Sequence, residues 1–330
     1  MMLKTIMAAS VSLGLAFAAG TAAAQERWDL ANEYPPNSVH AQSADTFIEA
    51  LEAASNGEID VTAHHGAALG YKSVDQFDAV GDGAVQLASS FVGAWSGIDP
   101  IFLVSSLPFL APTVKDTRAL YEVSKPYYEK VLADANQVFL FATPWPPSGL
   151  WGNKPLDSMD SIQNVRIRTY DANGTITLRN AGAAPIQLSW ADTVPQLTTG
   201  GIDGVLTSAD GGAAAQLWEH QSHFTEVNYA SPLQIVHMNK DVYDGLSDEQ
   251  KEAVTKAAKE AEDFGWGLLE NRVKENYAQM KENGMTIVTD VSPDYLAALG
   301  KAAEESISDW KAKFPDADKL LADYESQRKQ

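Results

Sequence analysis

The sequence contains no cysteine, which removes disulfides, thiolate nucleophiles, cysteine zinc sites and iron–sulfur clusters from consideration together. Positive charge is scarce. Against 44 Asp plus Glu stand only 24 Lys plus Arg, a formal net charge of −20. Such a surface repels a phosphate backbone at range, so nucleic acid is a poor partner. Beyond the N-terminal segment no apolar run reaches the roughly 18 residues a membrane helix needs. There is no phosphate-cradling P-loop, no Gly-x-Ser-x-Gly elbow, and no Ser-x-x-Lys pair in a hydrolase context. Internal repeats and low-complexity linkers are missing too. These absences leave no argument for an enzyme and call for no cofactor.

What is present starts with residues 1–24. Lys4 is their only charge, an apolar stretch from Ile6 to Ala19 follows, and the small residues Ala22, Ala23 and Ala24 close the segment. That order defines a secretory signal peptide cleaved after Ala24, which places the mature protein in the periplasm. The full 330-residue chain is 45% hydrophobic and 21% charged, a globular composition, and it is long enough for two domains.

Short β-like runs alternate with helical patterns, the signature of an α/β protein with largely parallel sheets. Strands are expected near Trp28–Ala31, Ile59–Ala63, Val85–Ser89, Val138–Ala142, Val165–Thr169, Gly204–Thr207 and Gln234–Met238. Helices are expected near Ser38–Ala54, Val74–Gly81, Lys115–Ala133, Gly174–Ala181, Ala191–Thr199 and Gly212–His220. Asn37 is a candidate cap for the first of these helices, and Ser73 with Gln76 fits a capping box. Towards the C-terminus, Ser247 as cap and Gly284 as stop enclose about 36 helical residues, roughly 50 Å, more than one small domain spans. Gly265 and Gly267 mark the cheapest place for that helix to bend. A helix of that length, with no flexible tether elsewhere, suits two lobes joined by several crossing segments and able to close about a hinge.

The six histidines do not assemble into a convincing site. His64 and His65 are adjacent, so in a strand they face opposite sides. His220 and His223 have helical spacing for a metal, with only Glu219 and Glu226 nearby to complete it. The arginines carry more information. Three of the seven, Arg166, Arg168 and Arg179, fall within one short stretch of a strongly acidic chain. In an extended Val165–Tyr170 segment, Val165, Ile167 and Thr169 share one face while Arg166, Arg168 and Tyr170 share the other. Ligands in open α/β sheets sit beyond the carboxyl ends of strands, so Arg168 is better placed than Arg166. Its planar fork matches a carboxylate or sulfonate, although a surface pairing with Asp or Glu fits the same pattern. Trp95, Trp145, Trp151, Trp190 and Trp218 lie in loops or at element ends, and the prolines of Pro144-Trp145-Pro146-Pro147 restrict the backbone around one indole. Several such rings near one cleft would form an apolar box for a small organic molecule.

These residues together resemble the DctP-type periplasmic solute-binding proteins of TRAP transporters. The resemblance is carried by Val165-Arg166-Ile167-Arg168, Ala181-Gly182-Ala183-Ala184-Pro185, Trp190-Ala191-Asp192 and Gly200-Gly201-Ile202-Asp203-Gly204. Ser106-Leu107-Pro108-Phe109, Trp151-Gly152-Asn153-Lys154-Pro155 and Asn239-Lys240 agree with it. It implies two α/β lobes with a cleft between them and a long helix spanning both. It also implies that Arg168 pairs with the ligand's carboxylate, that Trp190 touches ligand, and that Asp171 and Thr207 make polar contacts. Glu33, Tyr71, Ser89 and Ser90 resemble first-lobe positions facing the cleft, and Trp151 and Trp145 are further candidates for covering the ligand's apolar body. Lys154 stands where members of the family carry a second arginine, and it supplies charge without the fork. Val205-Leu206-Thr207-Ser208 replaces the common continuation after Asp-Gly.

The domain organisation expected is a signal peptide over 1–24, lobe I over 25–147, lobe II over 148–232, a return to lobe I with the start of the long helix over 233–262, and the end of that helix, completion of lobe II and the C-terminal helices over 263–330. The expected function is capture of a small organic anion, a carboxylate first, and its delivery to a membrane permease with small and large integral subunits driven by a sodium gradient. A binding protein of an ATP-driven importer for a sulfonate or zwitterion shares the two-lobed pattern, and a periplasmic hydrolase or lyase is the remaining rival. Dicarboxylate, keto acid, aromatic acid, sugar acid, sulfonate and zwitterion all stay open as ligands, and the sequence is silent on oligomeric state.

Overall fold

A computed structural model describes residues 25–329, so the expected signal segment lies outside the described residues. The chain starts with β1 (Glu26–Asn32), α1 (Val39–Ala54), β2 (Ile59–His64), α2 (Ser73–Gly81) and β3 (Leu87–Phe91). Two short 3-10 turns lead to α3 (Val114–Asp134) and β4 (Gln137–Pro144). After β5 (Ser148–Gly152) come β6 (Arg166–Thr169), α4 (Ala172–Asn180), β7 (Ala184–Gln187), α5 (Trp190–Thr198), β8 (Gly204–Ser208), α6 (Ala209–Ala214) and β9 (His223–Thr225). The remainder is β10 (Leu233–Asn239), α7 (Lys240–Asp244), α8 (Asp248–Glu282), β11 (Thr286–Val288), α9 (Pro293–Lys313) and α10 (Ala317–Gln327).

The strands form two sheets, ordered β2-β1-β3-β10-β4 and β11-β9-β5-β8-β6-β7. Each sheet is the centre of one lobe. The sheets are mixed, not largely parallel: β10 runs antiparallel to both β3 and β4, and β5 runs antiparallel to both β8 and β9. The reason is the crossing of the chain between lobes. β5 and β10 each enter a sheet from the other lobe and therefore travel against strands that were wound within it. The two crossing segments are bonded to one another, Trp145 N–H to the Pro232 carbonyl at 2.8 Å and Ser148 N–H to the Ala230 carbonyl at 2.9 Å. Between these two bonds stand Pro146 and Pro147, which have no N–H to give.

Local chemistry explains the element ends. Ser38, not Asn37, caps α1, its hydroxyl accepting from Ala41 N–H at 3.2 Å. α2 begins one residue earlier than expected, at Ser73, with Lys72 as its cap, whose N–H donates to Asp75; Ser73 instead accepts from Phe91 N–H at 3.3 Å and ties the helix to β3. β5, β7, β9 and β11 escape sequence reading because they are three to five residues long, and β5 and β7 also carry glycine or proline.

The 35-residue α8 runs unbroken from the Ser247–Gln250 capping box, about 52 Å at the usual rise. Its first half buries Ala253, Val254, Ala257, Ala258 and Ala261 with α1 and the sheet of the first lobe. Its second half meets the second lobe, where Met280 joins the core built on β5, β6 and β8. Gly265 serves close approach and not a bend: a Cβ there would lie 2.3 Å from Thr143 Cγ2 on β4 and 2.5 Å from Ser43 Oγ on α1. α9 packs on α4, while Trp310 at its end and Tyr324 of α10 return to the first lobe, donating to the Pro100 and Leu110 carbonyls.

Candidate functional site

The two lobes meet around a chamber of about 290 Å³, part of it open to solvent, bordered by Tyr34, Phe91, Trp145, Arg168, Tyr170, Trp190, Thr207 and others. A second hollow of about 560 Å³ opens from it towards solvent and shares Tyr34, Phe91, Arg168, Tyr170 and Trp190. The placement follows a simple rule. Tyr34 follows β1, Phe91 ends β3, Arg168 and Tyr170 lie at the end of β6, and Thr207 and Ser208 end β8. All are carboxyl ends of mutually parallel strands, where an open sheet leaves a crevice. Trp145 and Pro232 come from the paired crossing segments and close the back.

Arg168 is only 3% exposed. Its Nε–H donates to the Leu188 carbonyl at 3.0 Å, and its guanidinium carbon lies 5.4 Å from the Trp190 ring and 6.0 Å from the Tyr170 ring. Among the described residues no carboxylate oxygen comes within salt-bridge distance of it. Burial pulls its pKa below the ordinary arginine value, while Tyr34, Glu33, Tyr170 and Asp171 pull the other way. The outcome is a cation held out of water beside a cavity with its terminal nitrogens uncommitted, the arrangement that an incoming anion would complete. The other two arginines of the cluster are surface residues, as their neighbours dictate: Arg166 pairs with Asp203 at 2.5 Å, and Arg179 with Glu305 at 3.3 Å.

The walls are aromatic. Tyr34 sits 4.7 Å from Trp145 and 5.8 Å, stacked, from Trp190 by ring centroids. Phe91 meets Tyr170 edge-on at 5.4 Å, and the Tyr170 hydroxyl lies 3.3 Å from Ser148 Oγ. Burial raises the pKa of Tyr34 and Tyr170, so both phenols stay neutral and available as hydrogen-bond donors.

Of the residues singled out from sequence, Arg168, Trp190, Thr207 and Trp145 are brought together around the chamber, and Glu33 borders the outer hollow. The others go elsewhere, each for a physical reason. Trp151 is fully buried in the core of the second lobe, with Gly212 so close that a Cβ would fall 2.0 Å from its Cζ2. Asp171 caps α4, its Oδ1 accepting from Gly174 N–H at 3.0 Å, and it forms no part of either wall. Lys154 is exposed beyond Gly152, at the end of β5 that pairs with the start of β8 and hence at the opposite end of these strands from Ser208. Ser89 and Ser90 face the interior of the first lobe, where Ser90 bonds Gln76 at 2.6 Å and His237 at 2.8 Å, and Ser89 accepts from Gln234 at 3.2 Å. Tyr71 packs on the small cluster of Ala31, Val80 and Ala88.

Glu33 borders the cleft with both carboxylate oxygens already engaged. One carboxylate oxygen accepts from Ser73 N–H at 2.8 Å and the other from Ala191 N–H at 2.9 Å. Sequence reading missed Tyr34, Phe91, Ser148, Ser208 and Pro232. Tyr34 and Phe91 carried one usable signal, an aromatic residue at the carboxyl end of an early strand.

Comparison with known proteins gives the family and the fold. The family DctP, bacterial extracellular solute-binding protein, family 7, matches residues 30–313. The ectoine/5-hydroxyectoine-binding periplasmic protein of Ruegeria pomeroyi is 28% identical over 264 residues, 77% of this chain and 76% of that protein. Among solved structures, an extracytoplasmic solute receptor of Bordetella pertussis that binds pyroglutamic acid is 27% identical with a TM-score of 0.87, covering 91% of this chain and 99% of that one. A TRAP solute-binding protein from a marine metagenome, specific for pyroglutamate, is 28% identical with a TM-score of 0.87 over 92% of this chain and 99% of its own.

Proposed function

Because this chain belongs to the DctP family of bacterial extracellular solute-binding proteins, family 7, we propose that its chamber holds a small monocarboxylate with a compact, uncharged body, of which pyroglutamate is the type. The chain is a TRAP solute receptor for a small organic acid and not an enzyme. Membership brings a small-molecule ligand and a membrane permease as partners, and proteins of the family are periplasmic. In our reading the permease is the pair of small and large integral subunits, and residues 1–24 supply the export signal.

One observation carries the choice of ligand. Among the described residues, Arg168 is the only cationic side chain bordering either hollow, and the only carboxylate there, Glu33, already accepts two backbone N–H groups. A single carboxylate balances that charge. A second carboxylate would enter without a counter-ion, and an ammonium or amidinium would find only a carboxylate that already accepts two backbone N–H groups, each a less favourable burial. The rest of the ligand meets Tyr34, Trp145, Phe91 and Trp190, which favours a flat, compact body, with Thr207, Ser148 and the two tyrosine hydroxyls to serve one or two polar atoms. Titration calorimetry of the mature protein tests this. Pyroglutamate should bind more tightly than ectoine, proline or succinate, and equal or tighter binding of succinate would overturn the monocarboxylate assignment.

A further inference from the structure

The lobes touch at the mouth of the cleft through a single buried carboxylate. Glu33 follows β1 in the first lobe and is 3% exposed. Its two oxygens take one N–H from each side of the seam: Ser73, the first residue of α2, and Ala191, the second residue of α5. Both donors lie in first turns, where backbone N–H groups have no helical acceptor and the helix dipole favours negative charge. Two helix starts from opposite lobes thus converge on one side chain. The residues flanking them make a second bond, Lys72 Nζ to both oxygens of Asp192 at 2.9 and 2.8 Å, in a more exposed setting.

The neighbours of the bridging residues connect this seam to the chamber. Tyr34 is next to Glu33 and Trp190 is next to Ala191, and the two rings stack on one another along the chamber wall. The same two backbone segments therefore carry both the surface a ligand touches and the bond that joins the lobes. A ligand that seats Trp190 against Tyr34 brings Ala191 N–H within reach of Glu33. When the lobes part, Glu33 keeps Ser73 and loses Ala191, leaving that oxygen to water.

We propose that Glu33 is a positioning residue, a closure latch that binds the second lobe through Ala191 N–H and does not contact the ligand. This rests on the receptor reading above and adds to it the step that reports occupancy to the outside of the protein. Geometry makes the bridge sensitive to length. Aspartate retains the charge but is one methylene shorter, and it cannot hold both N–H groups, whereas glutamine keeps the length and turns an N–H₂ towards one of two donors.

The experiment uses the full mature protein with pyroglutamate as probe, and spin labels on exposed α2 and α5 positions to report lobe separation. Calorimetry and stopped-flow fluorescence run alongside. With a latch, Glu33→Gln and Glu33→Asp each lose about tenfold in affinity, as removal of a buried hydrogen bond to a charged group does. The loss falls mainly in the dissociation rate, is the same factor for pyroglutamate and for any weaker carboxylate, and leaves a population with separated lobes even at saturating ligand. Full closure at saturation, with affinity lost for one ligand and kept for another, would make Glu33 a ligand contact and overturn the proposal. So would rescue by Glu33→Asp, which would assign its role to charge alone. If pyroglutamate does not move the wild-type labels, the ligand assignment fails by itself. The latch is then read without ligand, where a closed fraction lower in Glu33→Gln than in wild type supports it and an equal one refutes it.

Discussion

The lobes are joined at two places by a carboxylate that reaches across the seam, and the two places are built differently. At the mouth, Glu33 of the first lobe takes Ala191 N–H of the second. At the back, Asp210 of the second lobe takes Val39 N–H of the first at 3.1 Å, and its other oxygen pairs with Arg272 of α8 at 2.5 Å and faces Asn276 Nδ2 at 3.4 Å. Arg272 itself reaches on to the Asn37 carbonyl at the entrance to α1. The back junction therefore has a counter-ion and stands beside three covalent crossings: the paired segments around Trp145 and Ala230, and α8. The mouth has no covalent crossing, and its ion pair, Lys72 with Asp192, is partly exposed and does not involve the Glu33 carboxylate. A pivot needs bonds that persist through motion, while a mouth needs bonds few enough to break each cycle, and the distribution of charge follows that division.

The largest effect expected at the back comes from Asp210→Ala. It leaves Arg272, with a side chain only 16% exposed, without its partner, and should cost about 3 kcal/mol of unfolding free energy in a urea titration. Equal loss from Glu33→Ala would erase the contrast between pivot and mouth. Next is Arg168→Lys, which removes the fork and keeps the charge; calorimetry should show a loss of about 2 kcal/mol in ligand affinity with the melting temperature of the free protein little changed.

A third carboxylate, Asp171, tests whether the seam between these extremes is sensitive to pH. Its Oδ2 is buried without a partner, and a Cβ on Gly93 of the first lobe would lie 3.1 Å from it. Burial pushes its pKa up to about 6. Because the folded value lies above the usual carboxylate range, the fold favours the protonated acid. The stability this contributes is present below about pH 4 and is lost as pH rises towards 6. Asp171→Asn stays neutral and retains the cap, so its stability relative to wild type should rise on the order of 2 kcal/mol between pH 4 and 7. A flat difference would return Asp171 to an ordinary ionised cap. The smallest effect belongs to Lys72→Ala. That pair is partly exposed, so its loss should weaken ligand binding by less than about 1 kcal/mol at low salt and not at all in concentrated salt.

Arg168 and the long helix were legible in the sequence, because each rests on a short-range rule: a place at the carboxyl end of a strand for the first, a cap and a stop for the second. The chamber as a whole was not. Its walls come from separate segments that meet only when the lobes close, and nothing local distinguishes Trp145, which borders it, from Trp151, which packs against Gly212 in the core. Glu33 shows the limit most clearly. Its position pointed at the cleft, but its partners are backbone N–H groups of Ser73 and Ala191, and a backbone donor has no identity in a sequence.

Gly265 fixes how movement can travel through α8. At that point the helix backbone meets the short Thr143 side chain of β4 and the Ser43 side chain of α1 directly, so there is little room to slide, and the N-terminal half is keyed to the first lobe like a shaft in a slot. Whatever rotation separates the lobes must be absorbed further along, in the turns between Gly265 and Arg272. A bulky residue introduced there would lift the shaft from its slot and disturb the swing of the far lobe without touching the ligand.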